Sequence, residues 1–194
     1  MHAGAALDDA DAAMIMVHGR NAGPSAILAF RDAINRPTIT CIAPAAAGGT
    51  WYPLSFLAPR EHNEPGLSSG LGVLESLVDD LIARGFPSRK IVLLGFSQGA
   101  CLTAEFAVRH PRRYGGVLVL SGGMIGPPGT KWDDVTGSFD GTPVFLGCSD
   151  VDSHIPKERV LESERLFTRL GARVRRKLYP GMGHLVNGDE IAEV

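Results

Sequence analysis

Apolar residues along this chain follow two alternating rhythms. Short unbroken runs occur at Ala12–Val17, Ile91–Leu94, Gly116–Leu120 and Pro143–Leu146, each bounded by glycine, proline or polar residues. Runs of this kind suit strands buried on both faces. Thr38–Ala43 is rich in β-branched residues, and Arg173–Leu178 has strand length; both are predicted as strands. Between them lie longer segments in which apolar residues recur every three or four positions. Leu71, Leu74, Val78, Leu81 and Ile82 mark one face of a helix over Leu67–Arg84, stopped by Gly85 and Pro87. Pro24–Ile34, Gln98–Arg109 and Lys157–Leu170 are predicted as helices, and the tail from Asp189 starts another. Two stretches, Pro44–Pro65 and Gly122–Gly141, follow neither rhythm and read as loops rich in glycine and proline.

Strand and helix thus alternate about five times, which predicts an α/β domain with a mostly parallel sheet and helices on both of its faces. With 194 residues and no linker or internal repeat, the expectation is a single domain over 1–194. In such sheets ligands sit beyond the carboxyl ends of the strands. Polar residues collect after the predicted strands: His18–Asn21, Ser97, Asp150, Asp152 and His184.

Composition narrows the functional classes. The net charge is −2, and the one basic cluster, Arg173, Arg175, Arg176 and Lys177, falls on a late strand. Charge there is expected to discourage edge pairing; neither nucleic acid nor stable membrane association is expected. Cys41, Cys101 and Cys148 are too few and too scattered for a disulfide framework or a zinc site. Free thiols in apolar surroundings fit a reducing compartment. With no signal-peptide pattern at the N-terminus and no run of membrane-spanning length, the expectation is a soluble cytoplasmic protein.

The chemistry concentrates at Gly95-Phe96-Ser97-Gln98-Gly99, set between a predicted strand and a predicted helix. In that context G-x-S-x-G is expected to form a nucleophile elbow, a turn so tight that both flanking positions favour glycine and the serine is lifted into the open. The following helix directs its amino end at the serine, and the Gln98 N–H can donate to a developing oxyanion. A serine hydroxyl needs a base, and a base of this kind needs an acid to orient it. His184, on the glycine-rich loop Tyr179–His184, is the one histidine late enough to serve in the order serine, acid, histidine. The acid is expected in Gly147–Pro156, where spacing alone leaves Asp150 and Asp152 both open. A second oxyanion donor is expected from His18–Gly23, with the Arg20 N–H favoured.

The pieces His18-Gly19-Arg20, Gly95–Ala100, Leu120-Ser121-Gly122, Asp150-Val151-Asp152 with Ile155-Pro156, and Gly183-His184 run in order along nearly the whole chain. Together they resemble the carboxylesterase and acyl-protein-thioesterase-like branch of the α/β-hydrolases, the phospholipase/carboxylesterase family. The resemblance implies an α/β-hydrolase fold with Ser97 as nucleophile, Asp152 as acid, His184 as base, and Arg20 and Gln98 as oxyanion donors. It also implies a serine carboxylesterase acting on short- to medium-chain esters, with thioesters and lysophospholipids as alternatives. The chain departs from the pattern at Ser153, where the family usually has proline, and at its N-terminus, too short for the first strands many relatives carry.

The loop Gly122–Gly141 is too short and too irregular for a lid domain, so an open site is expected. Trp51, Tyr52, Leu54, Phe56, Leu57, Met124 and Ile125 are candidates to line it, with Trp51, Tyr52, Met124 and Ile125 taken as substrate-binding. No metal or cofactor is expected; the partner is a small-molecule ester, and the protein a monomer or homodimer. A non-catalytic small-ligand receptor on the same fold is the alternative of another class.

Overall fold

A computed structural model describes residues 1–194. Its strands are His2–Gly4 (β1), Ala12–Val17 (β2), Ile39–Ile42 (β3), Ile91–Phe96 (β4), Gly116–Leu120 (β5), Pro143–Ser149 (β6) and Arg173–Tyr179 (β7). Its helices are Pro24–Leu28 (α1), Phe30–Ile34 (α2), Gly66–Ala83 (α3), Gln98–Arg109 (α4), Lys157–Arg169 (α5) and Gly188–Ala192 (α6). The strands form one sheet in the order β1-β3-β2-β4-β5-β6-β7, parallel throughout except for β1 against β3.

The unbroken apolar runs follow from burial on both sides. Along β2, Ala13, Ile15 and Val17 enter one core while Met14 and Met16 enter the other. The larger core lies under α3, α4 and α5; the smaller lies under α1 and α2. Helix α4 is buried from Gln98 to Val108 because it is enclosed by the sheet, α3 and the flanking loops. It descends directly from β4, the middle strand, so whatever its first turn carries sits at the centre of the sheet's carboxyl edge.

Three local differences from the expected elements have physical reasons. β1 was not foreseen: three residues without an apolar run carry no strand signal, and their pairing depends on the exposed edge of β3. The stretch Pro24–Ile34 forms two five-residue helices meeting at Ala29, whose backbone stays right-handed (φ −60°, ψ −24°), so the chain keeps turning through the joint. β4, β6 and β7 each run one to three residues further than their apolar patterns suggest, to Phe96, Ser149 and Tyr179. At the far edge, the basic β7 pairs only with β6, and Arg176 meets Glu164 at 2.7 Å and Arg175 meets Glu193 at 2.8 Å. Residues 121–142 contain no helix or strand, so no lid domain covers the carboxyl edge. No helix is long and apolar enough to cross a membrane.

Candidate active site

The turn between β4 and α4 holds Ser97 at φ 56° and ψ −121°, in the left-handed half of backbone space that a residue with a Cβ rarely occupies. The glycines make the turn feasible. A Cβ on Gly95 would lie 2.4 Å from the Gly99 carbonyl oxygen, and one on Gly99 would lie 2.2 Å from that of Val17. The elbow is held from below by the Ser97 N–H, which donates to Leu120 O at 3.0 Å.

The Ser97 hydroxyl donates to His184 Nε2 at 2.8 Å, and His184 Nδ1–H donates to Asp152 Oδ2 at 2.7 Å. His184 arrives on the loop after β7, which turns through Gly181 and Gly183, both at positive φ. The end of β6 anchors that loop: the Gly181 N–H donates to Asp150 Oδ1 and the Gly183 N–H to Ser149 Oγ. The Phe96 ring packs 5.3 Å from the imidazole on one side, and the His154 ring lies 4.6 Å away on another.

The two aspartates left open by spacing differ in what they touch. Asp150 is exposed and braces the turn at Gly181. The Asp152 carboxyl is shielded from solvent; its Oδ1 accepts the N–H groups of His154 and Ile155 at 2.8 and 3.0 Å, leaving Oδ2 for His184. These two N–H bonds shape the turn with serine rather than proline at position 153. Burial by itself would raise the Asp152 pKa, but the bond from His184 and the two N–H donors outweigh it and hold the carboxyl below its ordinary value. Beside it, the Cys148 thiol lies 3.7 Å from Oδ2, and burial followed by the Asp152 charge pushes its pKa up to about 12.

The loop after β2 flanks the elbow. His18 Nδ1–H donates to Gly19 O at 2.8 Å and its Nε2 accepts the Ala46 N–H at 3.1 Å, which fixes a neutral tautomer. The Arg20 N–H has no acceptor in the protein. Its guanidinium reaches across to the carbonyls of Tyr52, Pro53 and Leu54 at 2.6–3.0 Å. Gln98 opens α4, so its N–H has no helical carbonyl one turn back. The Gln98 side chain grips the same loop, accepting the Trp51 N–H at 3.0 Å and donating to Tyr52 O at 2.8 Å. Two N–H groups without protein acceptors therefore flank Ser97, on loops tied to one another by side chains.

A cleft of about 480 Å³ opens at Ser97 and His184, within the usual range for ligand sites. Its floor is formed by Tyr52, Phe56, Cys101 and Ile155, and Arg20, Leu54 and His154 stand at its rim. Three residues expected to bind substrate do not line it. Trp51 is buried because its indole N–H donates to His18 O at 2.8 Å, which draws the ring into the core. Met124 and Ile125 are pulled under the surface: the Met124 N–H donates to Ser163, the Ile125 N–H to Glu105, and Arg159 holds Met124 O. Leu57, too, packs against the core instead of the cleft. Tyr52, Leu54 and Phe56 do line the cleft.

Other wall residues were not anticipated. Cys101 reads from sequence as one more apolar residue of a buried helix; only its place one turn past Ser97 could have marked it. Ile155 reads as a helix-entry residue.

Residues 5–194 match the phospholipase/carboxylesterase family. The chain is 33% identical over 169 residues to acyl-protein thioesterase 1 of Eremothecium gossypii, covering 84% of this chain and 69% of that protein. It spans 57–69% of the length of this and the other curated relatives compared. The crystal structure of a phospholipase/carboxylesterase from Dyadobacter fermentans superposes with a TM-score of 0.96 at 36% identity, covering 100% of this chain and 92% of the other. Esterase PE8 shares the fold at 23% identity, with a TM-score of 0.82 and coverage of 100% and 94%. An elbow serine at the centre of a parallel sheet, the profile matched from residue 5 to the end and the close superposition agree: the chain belongs to the phospholipase/carboxylesterase family and has the α/β-hydrolase fold.

Proposed function

We propose that the protein is a serine carboxylesterase that cleaves short- to medium-chain carboxylic esters through an acyl-enzyme on Ser97. The observation that carries this reading is the continuous row Ser97 Oγ, His184 Nε2, His184 Nδ1, Asp152 Oδ2, with links of 2.8 and 2.7 Å. Ser97 Oγ attacks the ester carbonyl carbon while its proton passes to His184 Nε2. Asp152, ionised across the working range, stabilises the imidazolium. The carbonyl oxygen becomes an oxyanion and takes hydrogen bonds from the Arg20 and Gln98 N–H groups; one such donor is worth roughly 3–4 kcal/mol in the transition state. Collapse expels the alcohol, which leaves with the proton from His184. Water then repeats the sequence on the acyl-enzyme and releases the acid. Apart from the ester and the attacking water, side chains and backbone of this chain supply the groups of the proposed cycle.

A thioester substrate is the second reading, supported by the 33% identity to a protein named acyl-protein thioesterase 1. The same attack serves a thioester, with a thiol leaving in place of an alcohol. Three buried free cysteines support action in a reducing compartment, the cytoplasm; the proposed substrate is a small-molecule ester and the proposed assembly a monomer or homodimer.

Stopped-flow hydrolysis of p-nitrophenyl acetate tests the proposal. The expected record is a burst of about one equivalent of p-nitrophenol followed by sustained turnover. Saturable binding of the ester with neither burst nor turnover would favour a receptor.

A further inference from the structure

Ser97 and His184 face two recesses. Besides the cleft already described, a second recess of about 270 Å³ touches both residues. It shares Arg20 with the cleft and is walled by Ala22, Ala26, Ile27, Phe30 and Phe96. Phe30 meets Phe96 edge to face at 6.3 Å, and Phe96 meets His184 at 5.3 Å, so an aromatic wall leads to the imidazole.

The recesses differ in size and chemistry. The floor of the first is buried at Tyr52, Phe56, Cys101 and Ile155. The second is a smaller apolar shelf: Ile27 is buried at its base, Phe30 half-buried and Ala26 exposed. A short- to medium-chain acyl group needs the larger volume, which suits the first cleft. A leaving group must take a proton from His184 and escape before water attacks, which suits the smaller shelf, whose Phe96 wall meets the imidazole and whose Ala26 is exposed.

We infer that the shelf between α1–α2 and Phe96 binds the leaving-group half of the substrate, and that it selects esters or thioesters whose alcohol or thiol carries a compact apolar group next to the scissile bond. This inference rests on the proposed function and adds to it a specificity device made of Ala26, Ile27 and Phe30.

Two ester series separate the halves of the substrate. In one, acetate is fixed and the alcohol grows from methyl to butyl to benzyl; in the other, methanol is fixed and the acyl group grows from acetyl to hexanoyl. Ala26→Trp places an indole on an exposed position facing the shelf. It should lower the kcat/KM ratio of benzyl to methyl acetate on the order of tenfold, and move the hexanoate-to-acetate ratio by less than about twofold. Phe30→Leu, which widens the same wall, should shift the alcohol ratio in the opposite direction. A change in the acyl ratio instead, or no change in either ratio for both variants, would overturn the inference while leaving the esterase reading intact. Failure of the parent protein to cleave any ester in either series would overturn both.

Discussion

The chemistry rests on a few atoms, and each is testable singly. Ser97→Ala removes the attacking oxygen, so kcat for ester hydrolysis should fall by roughly four orders of magnitude or more while the melting temperature holds. The aspartates make a sharper comparison. Asp152→Asn replaces the acceptor of the His184 Nδ1–H and should cost on the order of 10⁴-fold in kcat. Asp150→Asn loosens one bond to the Gly181 N–H and should cost about 1 kcal/mol of stability with little loss of rate. Steady-state kinetics on both variants measures the ranking, and the reverse order would assign the acid to Asp150. Ser97 and His184 were legible in the sequence because each sits where a strand stops and a glycine-rich turn begins. Spacing did not separate Asp150 from Asp152, which the family resemblance chose, since the difference lies in which carboxyl receives the His154 and Ile155 N–H groups.

At the scale of elements, the elbow is a steric solution, and a single methyl group should undo it. Gly99→Ala would press a Cβ into the Val17 carbonyl, backbone that cannot swing aside. The expected result is a loss of at least about 3 kcal/mol in urea unfolding, with activity falling further than stability accounts for. Helix α6 offers a pH test. Asn187 and Glu190 cap one another, and Glu190 Oε1 is buried without a partner. Burial, opposed by the Asn187 N–H and reinforced by Asp189, raises the Glu190 pKa from 4.5 to about 7. The folded state therefore keeps this proton to higher pH than the unfolded chain does. The stability it contributes is complete below pH 4.5 and is lost as pH rises through about 7. Thermal melts should show the parent losing stability between pH 5 and 8, and Glu190→Gln flattening that decline. Strands and long helices were readable because burial on both sheet faces writes unbroken apolar runs and one-sided burial writes a helical period. β1 and the joint at Ala29 were not, because three pairing residues and one weakened turn leave no periodic trace.

Over the whole molecule, what was least legible is how the irregular segments pack, and that decides the cleft. Glu105, deep in α4, takes Arg60 from the loop that walls the cleft, Arg109 from its own helix, and the Ile125 N–H from the loop after β5. A carboxylate inside an otherwise apolar helix gives no sequence clue to such distant partners. The same packing buried Trp51, Met124 and Ile125, which hydrophobicity alone marks as pocket residues. Glu105→Ala should cost about 1–3 kcal/mol in chemical unfolding, since it leaves the buried Ile125 N–H without an acceptor and unties Arg60 and Arg109. In the proposed function these loops serve a single end, an activated hydroxyl at the carboxyl edge of the sheet. The most direct test of that claim is labelling with a fluorophosphonate followed by peptide mapping, on the parent protein and on His184→Ala. The account predicts one label per chain on the peptide that contains Ser97, with labelling abolished in the variant. An unlabelled parent, a label on another residue, or equal labelling without His184 would contradict it.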